Sequence, residues 1–300
     1  MPAERANPVA CALPVQASLL DWYQDHARDL PWRRRNASPW GVLVSEMMLQ
    51  QTPVRRVLPV WQEWIRRWPT PAALAAEAPG EAVRAWGRLG YPRRALRLHA
   101  MAQALVKHHD GRVPSGENEL LALPGIGRYT AAAVASFAFG TRCAVVDTNV
   151  RRVQARAMRG RALPAPALTS AELRLAEELL PPDDGLAARW NVAVMELGAL
   201  VCTARSPDCE LCPIRGGCAW VAAGSPPYAG PPRRGQAWQG TDRQVRGRML
   251  QLLRSRDTPA AEAELLACAD DLTQARRCLL SLLADGLLDT AGPQRFRLPG

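Results

Sequence analysis

Apolar residues recur at intervals of three and four positions through most of the first 220 residues, which is the spacing of amphipathic helices. The pattern predicts helices over residues 17–27, 41–51, 54–67, 70–78, 80–89 and 95–108. Turn-forming residues such as Pro79-Gly80 separate these segments. No segment in this part alternates apolar and polar residues as a half-buried strand does, so we predict an all-α body.

The last eighty residues follow a different pattern. A proline- and glycine-rich linker is predicted over residues 221–240, after a body over 15–220 and a flexible N-terminus over 1–14. In residues 241–300, helical patterns over 242–255, 259–267 and 271–284 precede a short β-hairpin over 287–297. Three helices and a hairpin wing predict a small winged-helix-like domain.

The most informative local pattern is Leu121-Ala-Leu-Pro-Gly-Ile-Gly-Arg-Tyr-Thr-Ala-Ala-Ala-Val134. The proline should end one short helix, Gly125-Ile-Gly127 should form a tight turn, and a second helix should begin at about Arg128. Main-chain N–H groups at the start of that helix are suited to holding a phosphate. We therefore predict a helix-hairpin-helix in which Gly125, Gly127 and Arg128 contact DNA. The alternative is an ordinary connection between two core helices.

Charge points to the same class of partner. The formal net charge is +10 over 300 residues, which indicates a polyanion. Lys107 is the only lysine, and arginine favours bidentate phosphate contact. The chain has no run of eighteen apolar residues and no signal-peptide layout. We expect a monomer in the bacterial cytoplasm, associated with the nucleoid and not with a membrane.

Four cysteines form one compact group with the spacing C-x6-C-x2-C-x5-C, at Cys202, Cys209, Cys212 and Cys218. Four thiolates are able to hold either a zinc ion or a cubane iron–sulfur cluster. Structural zinc usually has two CxxC pairs, whereas a single CxxC with wide gaps on both sides favours the larger cluster. The other four cysteines are isolated and are expected to be small buried apolar residues.

Four further segments are similar to motifs of a known enzyme family. They are Ser45-Glu-Met-Met-Leu-Gln-Gln-Thr52, Leu89-Gly-Tyr-Pro-Arg-Arg-Ala95, Val146-Asp-Thr-Asn-Val-Arg-Arg152 and Met195-Glu-Leu-Gly-Ala-Leu-Val-Cys202. With the hairpin and the cysteines, residues 15–220 resemble the helix-hairpin-helix DNA glycosylases of the endonuclease III superfamily, and within it the MutY adenine glycosylases. The resemblance implies a mainly α fold of two helical subdomains, with DNA and a flipped base in the cleft between them. It also implies a [4Fe–4S] cluster, and double-stranded DNA with an A·8-oxoguanine or A·G mismatch as the partner.

By the same resemblance, Glu46 is the general acid that protonates adenine, and Asp147, beside Asn149, stabilises the sugar cation. Adenine is a poor leaving group until it is protonated, so the apolar setting of Glu46 should raise its pKa, while neighbouring arginines should keep Asp147 charged. The plainer alternatives are a solvent-facing carboxylate at Glu46 and a helix N-cap at Asp147, and the cap is compatible with catalysis. Tyr129 stands where bifunctional members carry a Schiff-base lysine, which implies a monofunctional enzyme.

A flipped base leaves a gap in the stack that the protein must fill. Gln50, Gln51 and Tyr91 match the family's intercalating positions, and the alternative is that they pack a helix end. Trp32 and Arg33 are assigned to the pocket for the flipped base.

The function predicted is monofunctional removal of adenine in base excision repair. Two alternatives remain: a thymine glycosylase acting on T·G mismatches, where tyrosine also occurs at position 129, and a non-enzymatic iron–sulfur redox sensor that binds DNA. Many relatives end in a longer nudix-related domain that recognises 8-oxoguanine, and residues 241–300 lack its length and its Phe-Ser-His loop. This tail has Arg243, Arg246 and Arg248 as candidate backbone contacts, and a structural cap is the alternative.

Overall fold

The computed structural model describes residues 12–230 and 238–300, which form two compact units. The first unit contains the described residues up to Ala37, Ser115–Glu117, and Gly127 to residue 230. The second contains Ser38–Pro114, Asn118–Ile126 and the residues from 238 onward. The winged-helix-like tail therefore belongs to the same compact unit as Glu46 and Tyr91.

The described residues are mainly helical, as the hydrophobic pattern predicts. In chain order the helices are α1 Ala12–His26, α2 Pro39–Leu49, α3 Val54–Arg67, α4 Pro71–Ala75, α5 Pro79–Trp86, α6 Arg93–His108, α7 Glu117–Ala122, α8 Arg128–Phe139, α9 Thr148–Ala157, α10 Ser170–Glu178, α11 Asp184–Leu200, α12 Ala219–Ala222, α13 Asp242–Arg254, α14 Glu262–Leu266 and α15 Leu272–Ala284. The strands are β1 Ala260–Ala261, β2 Asp289–Thr290 and β3 Arg295–Arg297.

The core of the first unit lies where α9 and α11 pack against each other and α1 packs on α11. Leu19, Val150, Trp190 and Leu197 are buried in it. Removing such side chains from water supplies most of the free energy that holds the helices together.

The core of the second unit is built around tryptophans. Trp64 contacts Trp68 and Trp86 edge-to-face, with ring centroids 4.7 and 5.8 Å apart. The indole of Trp40 donates to Trp68 O at 3.0 Å, and that of Trp61 donates to Gly41 O at 2.8 Å. These tryptophans are core residues and not stacking surfaces for bases.

The tail has the predicted three helices and hairpin. Antiparallel strands form a sheet in the order β1-β3-β2, in which Phe296 pairs with both Ala260 and Thr290. The prediction of one helix over 259–267 is wrong at its start, because Ala260 and Ala261 pair with β3 before α14 begins. The pairing partners, Phe296 and Arg295, lie more than thirty positions further along the chain. Local periodicity therefore does not reveal this strand.

The tail is anchored within its unit by main-chain contacts. The guanidinium of Arg84 in α5 donates to the carbonyl oxygens of Arg254 at 2.6 Å and Arg256 at 3.0 Å, at the C-terminal end of α13. In the opposite direction, Arg254 donates to Val83 O at 2.9 Å. The amide of Gly80 donates to Pro299 O at 2.7 Å, and a Cβ at position 80 would lie 2.4 Å from that oxygen. One face of the tail thus packs against α5, as a structural cap would.

Several predicted boundaries shift by a few residues. The helix predicted over 41–51 ends at Leu49, and the one predicted over 80–89 ends at Trp86, before Gly87 at φ +54°. The flexible N-terminus predicted for 1–14 falls largely outside the described residues, although α1 begins at Ala12. Part of the 221–240 linker, residues 231–237, also lies outside them. In the described part of the chain, no helix is both long and apolar enough to span a bilayer.

Candidate functional site

Glu46 lies in the most buried helix of the second unit. Ser38 caps α2 by accepting from Gly41 N at 3.0 Å, Pro39 opens the helix, and residues from Trp40 to Met48 are buried. Glu46 itself is 5% exposed. The solvent-facing alternative for this carboxyl is therefore wrong, since Glu46 lies in a buried stretch of helix whose residues are mostly apolar.

Two loops next to α2 hold exposed side chains on strained backbone. Gln51, two residues after the end of α2, has φ +54°, and Tyr91, in the α5–α6 connection, has φ +47°. Non-glycine residues rarely adopt this left-handed region, and holding them there costs free energy that the surroundings must offset. Tyr91 is 52% exposed. Core packing therefore explains neither its backbone strain nor the position of its side chain.

Arg94, the second residue of α6, holds both loops in place. Its Nη1 donates to Met47 O at 2.9 Å and Gln50 O at 2.7 Å, and its Nη2 contacts Thr52 Oγ1 at 3.2 Å and Gly90 O at 3.3 Å. Burial lowers its pKa to about 10, so it stays charged at neutral pH. Sequence reasoning quoted this arginine within a motif and gave it no role, because its partners are distant in sequence.

The turn of the hairpin has the geometry that its glycines require. Gly125 has φ +81°, and a Cβ there would lie 3.1 Å from the Cβ and Cδ atoms of Arg97. Ile126 N donates to Leu123 O at 3.2 Å, which closes the turn. Gly127 is the N-cap of α8 and offers no side-chain acceptor. Helix α8 therefore begins without a side-chain cap. An anion-binding helix N-terminus needs its first main-chain amides, here those of Arg128 and Tyr129, left uncapped in this way.

Asp147 is the N-cap of α9, which confirms the prediction of a helix cap at this residue. Its Oδ1 accepts from Asn149 N at 2.8 Å and Val150 N at 2.7 Å, and its Oδ2 accepts from Asn149 Nδ2 at 2.9 Å. Both carboxyl oxygens therefore receive N–H donors, an arrangement that fixes the rotamer and favours the anion.

Burial raises the pKa of Asp147, against the lowering effect of the hydrogen bonds from Val150 and Asn149 and of the Arg152 charge. Neighbouring arginines were expected to keep Asp147 charged, and Arg152 does lower its pKa, but burial has the larger effect. Arg151 is turned away and binds Glu172 at 3.0 Å, so proximity in sequence overstated the positive charge near Asp147.

Asn149, through Arg152, links Asp147 to the C-terminal part of α11. Its Oδ1 accepts from Arg152 Nη2 at 2.7 Å, and Arg152 also donates to Gly198 O at 2.5 Å and Cys202 O at 2.7 Å. A Cβ on Gly198 would lie 2.7 Å from the Cβ of Asn149. Glycine at 198 is therefore what lets α11 approach the first turn of α9, a requirement that sequence reasoning missed.

Arg33 is fixed by a buried ion pair. Glu196 has a fully buried side chain and accepts from Arg33 Nη1 at 2.8 Å and from Nε and Nη2 of Arg28, both at 2.7 Å. Burial alone would raise the pKa of Glu196, but the hydrogen bonds and charges of the two arginines hold it to about 2. Trp32, beside Arg33, is buried. The assignment of Trp32 and Arg33 to a base pocket stays a prediction.

The four cysteines line one apolar cavity, together with Val153, Leu197, Ile214 and Trp220. The guanidinium of Arg156 lies over Trp220 and donates to Cys202 Sγ at 3.3 Å. Burial raises the pKa of the Cys212 thiol to about 11. The thiolate form is therefore favoured at this site only when bound metal ions stabilise its negative charge.

The donor chemistry fits an iron–sulfur cluster, since thiolates in an apolar enclosure are the usual ligands of such clusters. In the described residues, no three His, Cys, Asp or Glu side chains are grouped closely enough to hold a single metal ion. Of the isolated cysteines, Cys278 is buried, Cys143 and Cys268 are half-buried, and Cys11 lies outside the described residues.

Known proteins resemble this chain over nearly all of its length. Residues 44–178 match the HhH-GPD superfamily of base excision DNA repair proteins, and residues 202–218 match the iron-sulfur binding domain of endonuclease III. An adenine DNA glycosylase of Mycobacterium tuberculosis is 54% identical over 284 residues, covering 94% of this chain and 93% of the relative. The human adenine DNA glycosylase is 42% identical over 219 residues, covering 70% of this chain and 40% of that protein.

The chain belongs to the MutY-type adenine DNA glycosylases. The predictions of an adenine DNA glycosylase of base excision repair, of a DNA-binding protein and of a [4Fe–4S] cofactor are thereby confirmed. The non-enzymatic sensor is excluded. A solved thermostable thymine-DNA glycosylase has a similar fold, with a TM-score of 0.64 and 28% identity, covering 71% of this chain and 98% of that one. The roles of individual site residues stay predictions.

Replacing Arg94 by methionine should destabilise the second unit and loosen the Gln51 and Tyr91 loops. Several buried carbonyl oxygens would lose their donor, which predicts a loss of roughly 2–4 kcal/mol in the free energy of unfolding. Urea unfolding and amide hydrogen exchange measure the two effects. Arg55→Met, at an exposed position in α3, is the control and should unfold like wild type; equal behaviour of both variants would contradict the role of Arg94.

Replacing Gly198 by alanine should displace the first turn of α9 and slow base release. A shift on the order of 1 Å in a functional carboxylate costs roughly 100-fold in rate. Single-turnover release of adenine measures the effect, and Gly185→Ala is the control, since it lies in the same helix with its nearest Cβ neighbour at 3.4 Å. If the two alanine variants released adenine equally fast, the close contact with Asn149 would have no functional weight.

Glu196 should make stability depend on pH in the acid range. Its folded-state pKa of about 2 lies below the ordinary 4.5, so its contribution is complete above about 4.5 and is lost as the pH falls towards 2. At neutral pH, Glu196→Gln should cost roughly 2–4 kcal/mol, because it removes the fully buried anion that pairs with two partly exposed arginines. The difference in unfolding free energy between variant and wild type should therefore shrink on acidification. A difference that is independent of pH would disprove the linkage.

Proposed function

We propose that this chain is a monofunctional glycosylase that releases adenine opposite 8-oxoguanine or guanine and leaves the DNA strand intact. The observation that carries the proposal is the burial of Glu46, which is 5% exposed in a helix, α2, whose other buried residues are mostly apolar. A carboxyl in such a place is suited to carry a proton at neutral pH and to give it to a poor leaving group. We also propose that the enzyme acts as a monomer in the bacterial cytoplasm, on the nucleoid.

In this mechanism Glu46 donates a proton to a ring nitrogen of adenine. The N-glycosidic bond then breaks, its electron pair leaves with the base, and positive charge develops on the sugar. Asp147, pre-oriented by the amides of Asn149 and Val150, stabilises that charge. Such preorganised electrostatic stabilisation needs no rearrangement during the reaction. Water adds to the sugar carbon and releases one proton, which replaces the proton that Glu46 gave to adenine, and the product is an abasic site.

The absence of an amine at the hairpin supports a single chemical activity. Tyr129 lies in the first turn of α8, whereas Lys107, the only lysine of the chain, lies exposed near the end of α6. A Schiff base with the sugar, and the strand cleavage that follows it, requires an amine. Without one, the product keeps an unbroken backbone.

The cysteine loop contributes structure to this mechanism. Cys202, Cys209, Cys212 and Cys218 would hold the [4Fe–4S] cluster, which when bound supplies a cross-link between the four thiolates. Arg152 and Arg156 tie Cys202 and Thr203 to α9. The loop therefore fixes the helix whose N-cap is Asp147.

Thymine release from T·G mismatches is the second candidate. It is favoured by the similar fold of the thymine-DNA glycosylase and by Tyr129, which also occurs in that class. The high identity to adenine glycosylases over nearly the whole chain favours adenine.

The substrate assay uses duplexes labelled in either strand and carrying A·8-oxoguanine, A·G or T·G. We expect abasic sites in the adenine strand of the first two duplexes, seen as strand breaks only after alkali. We also expect no covalent enzyme–DNA complex on borohydride reduction. Thymine release as fast as adenine release, or breaks that form without alkali, would overturn the proposal.

A further inference from the structure

A groove of about 1480 Å³ runs beside α13 within the second unit. One side is formed by the α5–α6 connection and the start of α6, and the other by α13 of the tail. The cationic side chains in its lining include Arg88, Arg93, Arg97, Arg243, Arg246 and Arg248. Gln50, Gln51 and Tyr91 lie in the same lining, so the groove is continuous with the two strained loops.

The groove carries uncompensated positive charge. Its lining, which consists of described residues, includes Asp285 as the one acid, and that carboxylate binds Arg246 at 2.5 Å and Arg93 at 3.2 Å. Arg88 and Arg97 are exposed and have no acidic partner in the described part of the chain. A concave surface of one charge sign concentrates polyanions.

The tail supplies two arginines to this surface. Arg243 and Arg248 are exposed on α13; Arg243 stacks over Trp238 with its guanidinium 5.4 Å from the ring centroid, and Arg248 donates to the main-chain oxygen of Cys268 at 3.2 Å. These contacts orient the two side chains, and neither the Trp238 ring nor the Cys268 carbonyl oxygen carries a net charge. Arg246 differs, because its bonds to Ser281 and Asp285 join α13 to α15.

We propose that this groove binds the sugar–phosphate backbone of the duplex next to the Tyr91 loop, and that α13 makes the tail part of the DNA-binding surface. Guanidinium groups recognise phosphate in bidentate geometry. The continuity of the groove with Gln51 and Tyr91 identifies its occupant as the duplex into which those side chains would insert. The inference therefore rests on the proposed function for the position of that duplex.

Another face of the tail offers a rival surface. Arg276 on α15 and Arg295 on β3 are exposed and do not line the groove. A winged helix that used its last helix and its hairpin would bind DNA through those two residues instead. The two faces can be compared directly by mutation.

The test measures binding of the full-length, cluster-loaded protein to a fluorescent duplex by anisotropy, at salt concentrations between about 50 and 200 mM. The double variant Arg243→Ala/Arg248→Ala should lose two phosphate contacts, which lowers the slope of log affinity against log salt by about 1.8. Its deficit relative to wild type should therefore shrink about twelvefold across this range. The deficit should be the same for an undamaged duplex and one with A·8-oxoguanine, because phosphates carry no sequence information.

Two further variants make the result decisive. Arg243→Lys/Arg248→Lys keeps the charge and should keep the salt slope of wild type, which separates a phosphate role from a loss of folding. Arg276→Ala/Arg295→Ala should bind like wild type. The inference is overturned if the groove variant has the wild-type slope, or if the α15 and β3 variant loses as much affinity. Binding to the undamaged duplex needs no excision, so a failure of the proposed adenine release would be seen separately.

Discussion

The structure depends on buried and half-buried guanidinium groups that bind main-chain carbonyl oxygens at the ends of helices and in the loops beside them. Arg94 ties the end of α2 to the Tyr91 loop, Arg84 holds the end of α13, and Arg156 holds the cysteine loop through Thr203 O at 2.7 Å. A guanidinium has five donors in one plane and does not lose its charge, whereas an ammonium has three on a flexible stem. A guanidinium is therefore better suited than an ammonium to this internal support, and the chain has a single lysine.

Arginine bonds of the same kind also connect Asp147, the carboxylate proposed to stabilise the sugar cation, to the iron–sulfur loop. Asp147 receives a hydrogen bond from Asn149, which receives one from Arg152, which donates to the carbonyl oxygen of Cys202. The carboxylate that caps α9 is thus two side chains away from a cluster ligand. Gly198 permits this arrangement by letting α11 approach Asn149. If Asp147 has the role proposed for it, a cluster that transfers no electrons would still affect the reaction by fixing these contacts.

Sequence reasoning predicted what local patterns encode: the helices, the hairpin glycines, the cysteine loop and the buried setting of Glu46. It missed Arg94, Gly198 and Glu196, because each acts through residues more than forty positions away. It also overstated the positive charge near Asp147, since neighbours in a helical sequence point in different directions. The strand at Ala260 was missed for the same reason as Arg94: its partner in β3 is distant in sequence.

The central claim is that Glu46 delivers the proton that makes adenine a leaving group. The most direct test compares wild type with Glu46→Gln in single-turnover release of adenine, with enzyme in excess over an A·8-oxoguanine duplex. Glutamine keeps the size of the side chain and cannot donate an acidic proton. The account predicts a rate lower by roughly 100- to 10,000-fold, with duplex affinity close to wild type. Release at a rate close to that of wild type would contradict it.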